Sequence, residues 1–195
     1  MSEAISIAVS LLALVLSAVT AWLTLIRRGT VRMSQPTTVF LGYESSGSLP
    51  KAVVETLLFS TSYRGHIVES MYLTVTAPGV AHAFDNWTYL DDDVARTAGV
   101  FVGREGTQVQ HHFYFNKKQK EFKVEPGRAT IRVFARIVNR KKPILLFQFG
   151  LHISQDLAGK LNSKTASVYF NWSAASQEYS EEQRLGPNLE GPLAA

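Results

Sequence analysis

The adjacent pair His111-His112 is the first candidate for chemistry, because imidazole can act as metal ligand, acid or base near neutral pH. The pair sits in a stretch whose hydrophobicity alternates with period two. Neighbouring strand residues point to opposite faces, so the two rings do not chelate one ion. His66, His82 and His152 stand alone, and neither HxH nor HExxH spacing occurs. Asp91-Asp92-Asp93, with Asp85 nearby, carries charge for Ca²⁺ but lacks the glycine and spaced ligands of an EF-hand loop. It reads as a solvated acidic turn. No metal site is expected.

Covalent chemistry has as little support. The chain contains no cysteine, which removes thiolate nucleophiles, thiolate metal sites and disulfides. Neither a GxSxG elbow nor a phosphate-cradling glycine loop occurs, and Gly103-Arg104-Glu105-Gly106 reads as a tight turn. The expectation is a protein without enzymatic activity and without a cofactor.

Binding chemistry is better represented. Lys117, Lys118 and Lys120 form one basic cluster, and Arg140, Lys141 and Lys142 form another. Each falls between expected strands and suits contact with anionic lipid or a partner, a solvated turn being the alternative. Trp87 and Tyr89, beside the acidic turn, are the residue types of a sugar-stacking platform. Nucleic acid is not an expected partner. The net charge of +4 is modest for a chain of 195 residues, and aromatics do not interleave with the cations on one face.

These residues must be positioned, and the opening segment dictates where. Ala4 to Ile26 is an uncharged run of 23 residues. As a helix it spans roughly 34 Å, enough for a bilayer core. Trp22 suits the interfacial zone, and Arg27, Arg28 and Arg32 follow the run, while Glu3 precedes it. That asymmetry predicts a soluble domain on the cytoplasmic side. A cleaved signal peptide is the competing reading, but no basic region precedes the run and its length exceeds a typical signal core. Ser6, Ser10, Ala13, Ser17, Thr20 and Thr24 are spaced by 4, 3, 4, 3 and 4 residues, which aligns six small side chains on one helix seam. Small and hydroxyl residues permit close helix approach in lipid, so the seam predicts a homo-oligomer or a membrane-protein partner. The alternative is that each hydroxyl bonds the carbonyl four residues back.

Beyond the run, strands dominate. Alternation is clearest over 67–76, 108–115, 129–138, 144–154 and 165–173, with weaker strands expected at 37–43, 52–63, 80–90 and 99–103. A short helical turn is expected within 154–163. One apolar and one polar face per strand indicates antiparallel sheets with a buried side. Glu125-Pro126-Gly127 leading into Arg128–Val138 resembles the turn before a late strand of immunoglobulin-like domains, although the chain lacks their Cys–Trp–Cys core. The expected fold is all-β: an antiparallel β-sandwich, immunoglobulin-like or similar, preceded by one N-terminal transmembrane helix. Residues 1–28 are assigned to the anchor, 29–36 to a juxtamembrane connector, 37–175 to the sandwich and 176–195 to a disordered tail. The functional expectation is a single-pass, membrane-anchored protein-interaction module. A carbohydrate- or lipid-headgroup-binding domain is the alternative.

Overall fold

The computed structural model describes residues 2–26, 29–43, 49–91, 94–97, 99–116 and 122–185. The apolar run is helical, as its lack of glycine, proline and charge dictates. Helix α1 spans Ser2–Ala21 and continues as a π-helical turn over Trp22–Ile26. The segment Glu3–Thr24 has a mean hydropathy of 2.4 and none of its most apolar window is buried. Helices of soluble domains hide one apolar stripe against a core, whereas this one exposes leucine, isoleucine and valine all round. It is long and apolar enough to cross a membrane. Along the small-residue seam, the Thr20 hydroxyl donates to Leu16 O and the Thr24 hydroxyl to Thr20 O, both at 2.8 Å.

The rest is mostly antiparallel β-structure. The strands are β1 (Val31–Met33), β2 (Thr38–Tyr43), β3 (Pro50–Ser60), β4 (His66–Ala77), β5 (Val80–Asp91) and β6 (Val94–Arg96). They continue with β7 (Val100–Val102), β8 (Thr107–Phe115), β9 (Gly127–Ile137), β10 (Ile144–Ile153), β11 (Ala166–Ser173) and β12 (Glu178–Leu185). Helix α2 (Gln155–Asn162) lies between β10 and β11, where a helical turn was expected. Ser154 caps it, its Oγ accepting from Leu157 N at 3.2 Å.

Three expectations change. The strands do not divide into two facing sheets. They join in one continuous sheet of order β10-β9-β4-β5-β8-β3-β2-β11-β12, with β1 on β3, β6 on β5 and β7 on β4. Long strands with register shifts at Val68/Ser70, Phe84/Asn86 and Leu145/Phe147 let this sheet roll into a nearly closed barrel. Period-two alternation reports which face is buried, not which strand pairs with which, and a rolled sheet produces the same pattern as a sandwich. Residues 178–185, expected in the disordered tail, form β12 and pair with β11 along its length. Likewise Val31–Met33, within the expected connector, pairs with β3 as β1.

The interior of the roll is filled by inward-facing side chains such as Leu73, Phe84, Phe113, Ile131, Val54 and Val168. Phe122 closes the end remote from α1, its ring centroid 5.6 Å from those of Phe84 and Phe115. Leu157 and Leu161 of α2 are fully buried in the same core. The Asn162 amide clamps Val124 N and O at 2.8 and 2.9 Å. At the other end, the Thr30 and Thr61 backbones hydrogen-bond at 2.9 Å and the Arg140 guanidinium donates to Gly29 O at 3.1 Å. Gly29 has φ +53°, and a Cβ there would lie 2.7 Å from the Ser62 Cβ. Only glycine lets the chain leave the helix and turn this close to the sheet.

Candidate interaction cleft

The roll fails to close at one place, and the sequence supplies the reason. Leu58 pairs with Thr107 of β8 on one side and with Met33 of β1 on the other, so β1 lies along the same β3 edge as β2. Pro36, which lacks a backbone donor, falls in the interruption between them. Below the break β1 lies against β10. Above it β2 leads to β11 and then β12. The sheet therefore forks, and a wedge stays open between β10 and β12.

The wedge is a cleft of about 650 Å³ with three aromatic rings in it: Phe149, Trp172 and Tyr179. The Tyr179 ring bridges the gap, 5.2 Å from Phe149 on β10 and 5.0 Å from Trp172 on β11. Its hydroxyl donates to Pro36 O at 2.9 Å and accepts from Gln35 Nε2 at 2.7 Å. Burial pushes the phenol up to about 12, against the opposing pull of the Gln35 hydrogen bond. Tyr179 thus stays neutral and stapled to the chain break. Arg128, Gln148, His152, Gln177 and Glu178 line the polar margins. Gly150 gives Arg128 room to lie across β10, since a Cβ there would sit 3.3 Å from the Arg128 Nε.

Among the described residues, β10 pairs only with β9 and β12 only with β11. Each flank of the cleft thus presents a row of backbone donors and acceptors that no strand takes. Such an edge is a template for another strand, and the rings beside it can receive alternate apolar side chains.

The residues singled out from sequence are distributed differently. Trp87 and Tyr89, the expected ligand platform, are 7% and 6% exposed. Their rings stack at 5.2 Å inside the core, and the Trp87 indole donates to His111 Nδ1 at 3.1 Å. Their faces are committed to packing, which corrects the expectation. His111 is fully buried, while His112 lies on the opposite face, 3.0 Å from Gln110 Oε1. Burial, reinforced by the nearby His112, lowers the His111 pKa to about 3. Because Nδ1 accepts, the proton sits on Nε2, which has no partner. Among the described residues no group of three metal-ligating side chains comes together. Asp85 accepts from the Asn116 amide at 2.9 Å, and the acidic side chains of Asp91, Asp92 and Asp93 lie outside the described residues.

Arg140, Lys141 and Lys142 are exposed in the β9–β10 turn, beside Gly29 and the helix. Strand β8 runs from Thr107 near that end to Phe115 at the other, and Lys117, Lys118 and Lys120 follow it outside the described residues. Trp22 is exposed in the π-helical turn and Arg32 is exposed on β1, while Arg27 and Arg28 lie outside the described residues. Sequence reasoning missed the cleft. Phe149 and Trp172 were assigned to strand faces and Tyr179 to a tail, and no local signal announces that the two ends of a sheet converge.

No protein-family model matches this chain, and no match is found among curated proteins or solved structures.

Proposed function

We propose that this chain is a membrane-tethered interaction module, without enzymatic activity, whose docking site is the cleft between β10 and β12. The observation that carries this reading is the open seam itself: two unpaired strand edges flanking three clustered aromatic rings. The partner is an extended protein segment that adds to an edge as a strand and seats an apolar side chain against Phe149, Trp172 and Tyr179. Helix α1 acts as an uncleaved single-pass anchor, supported by its apolar surface on every side. Arg27, Arg28 and Arg32 after the helix favour a cytoplasmic domain.

A photo-crosslinking residue in place of Gln148, which is exposed on β10, tests the docking site. In native membranes it should capture a discrete partner band, and Trp172→Ala should reduce that capture about tenfold. Such a loss matches one well-packed aromatic contact of somewhat over 1 kcal/mol. Crosslinks that ignore Trp172→Ala would sink the proposal.

The same cleft favours a second reading, because Trp172 with Arg128, His152 and Glu178 around it is also the chemistry of carbohydrate stacking. Under that reading the detergent-solubilised chain binds a glycan array and loses binding on Trp172→Ala, while Gln148 captures no protein.

A further inference from the structure

We propose that the helix-side rim of the roll binds anionic lipid headgroups and holds the domain against the bilayer in which its own helix sits. This rests on the spanning reading of α1 and adds a surface that the cleft does not share.

Three turns build the rim: residues 61–65 between β3 and β4, 103–106 between β7 and β8, and 138–143 between β9 and β10. Backbone hydrogen bonds gather them, Ser60 N to Gly103 O at 2.9 Å and Val138 N to Ile67 O at 3.0 Å. The link to the helix is short. Only residues 27 and 28 separate Ile26 from Gly29, so Gly29 lies within about 11 Å of the helix end at the maximum reach of a chain. Leu23 of the π-helical turn shares a hollow of about 420 Å³ with Phe59, Tyr63 and Arg104. Whatever surrounds the end of the helix also meets this rim.

The composition of the rim fits that neighbour. The three turns carry Arg64, Arg104, Arg140, Lys141 and Lys142 against the single carboxylate Glu105. All five cations are exposed. Among the described residues Arg64, Arg104 and Arg140 form no ion pair with a carboxylate. Instead Arg104 lies over the Tyr63 ring at 4.3 Å and Arg140 holds Gly29. Guanidinium groups match phosphate geometry and are only weakly hydrated, which suits a headgroup layer. Apolar groups sit among them. Tyr63 is 67% exposed and Phe101 64%, and Ile67 pairs with Phe101 across β4 and β7. The Phe101 ring lies on Gly65, where no side chain could be accommodated, and this props the ring outward. Exposed rings interleaved with cations are unfavourable in plain water and favourable at a bilayer interface, where rings enter the acyl boundary and cations meet phosphate. A phosphatidylserine-rich leaflet supplies the complementary charge.

Because the chain has no cysteine, single substitutions give unique sites for a nitroxide. Full-length protein carrying Leu14→Cys, Val138→Cys or Gln155→Cys is placed in nanodiscs of phosphatidylcholine, with and without phosphatidylserine. Collision with oxygen and with a water-soluble nickel chelate is then read by electron paramagnetic resonance. The Leu14 label should report lipid in both discs, and the Gln155 label, at the far end, water in both. The Val138 label should lose nickel collisions about threefold on adding phosphatidylserine and regain them near 1 M salt, where the screening length falls to about 3 Å. Lys141→Gln with Lys142→Gln, both in an exposed turn, should weaken the lipid response while the thermal melt stays unchanged. Adding Arg64→Gln and Arg104→Gln should do the same more completely. A Val138 label that stays in water in both discs while Leu14 reads lipid overturns the rim and leaves the spanning helix standing. A Val138 label shielded equally without phosphatidylserine overturns the anionic specificity. A Leu14 label in water removes the bilayer from both proposals, and a shielded Gln155 label reveals indiscriminate adsorption and overturns the rim.

Discussion

His111 is the residue whose chemistry most constrains the conditions under which this fold holds. It is buried beside Trp87, and its lowered pKa means that the folded protein keeps it neutral far below the pH at which the unfolded chain takes up a proton. The sign follows directly. Above the ordinary value of 6.5 neither state is charged, and the residue imposes no penalty. As pH falls toward the folded value of about 3, the unfolded state alone binds the proton and stability is lost. Near pH 5 the loss is about 2 kcal/mol, taking 1.36 kcal/mol per unit. Urea midpoints should therefore drop between about pH 7 and 5. His111→Gln retains an acceptor for the Trp87 indole but does not titrate, and it should flatten that drop. An undiminished slope in the variant assigns the effect elsewhere.

Single elements show what a pattern can and cannot carry. In β9 the alternation of Ile131, Val133, Ala135 and Ile137 is the buried row, and in β4 Met71, Leu73 and Val75 are. Both strands lie inside the sheet with one wet face, so the period survives. Strand β10 breaks it. Strict alternation would place Leu145 on one face with Phe147, Phe149, Leu151 and Ile153, but the register shift between Leu145 and Phe147 turns Leu145 to 49% exposure and buries Leu146. A bulge adds one residue without a sequence mark, so the alternation slips unseen. In β11, Ala166 through Phe170 are all buried, because Tyr169 packs edge-on against Phe40 at 5.0 Å and Ser167 sits where Gly42 leaves no side chain. Strand β12, EYSEEQRL, is polar enough to read as tail; partnership with β11 makes it a strand. The cleft inherits all of these blind spots, since its three rings come from a bulged strand, a doubly covered strand and an unrecognised one. In α1, hydrogen bonds from Thr20 and Thr24 to their own helix satisfy those two hydroxyls. Any self-association through the seam would then depend on the smallness of Ser10 and Ser17. Replacing both with Leu should abolish signal in a membrane two-hybrid assay by blocking backbone approach, and an unchanged signal would retire the seam.

At the scale of the whole molecule, the brevity of the join between helix and roll has a mechanical consequence. On the spanning reading of α1, the chain from Thr30 to Gln35, which includes β1, can climb at most roughly 17 Å at about 3.4 Å per residue, so the mouth of the cleft would stand close over the lipid. With two residues between Ile26 and Gly29, the roll has no stalk on which to rise or lean away. Partners carried in the same leaflet would meet it by searching a plane instead of a volume, at a concentration set by that confinement. Ten Gly-Ser residues inserted after Arg28 should leave the thermal melt intact yet lower Gln148 crosslinking several-fold, as the cleft swings through a hemisphere instead of a ring. In the proposed role, so short a leash would select targets by how tall they stand.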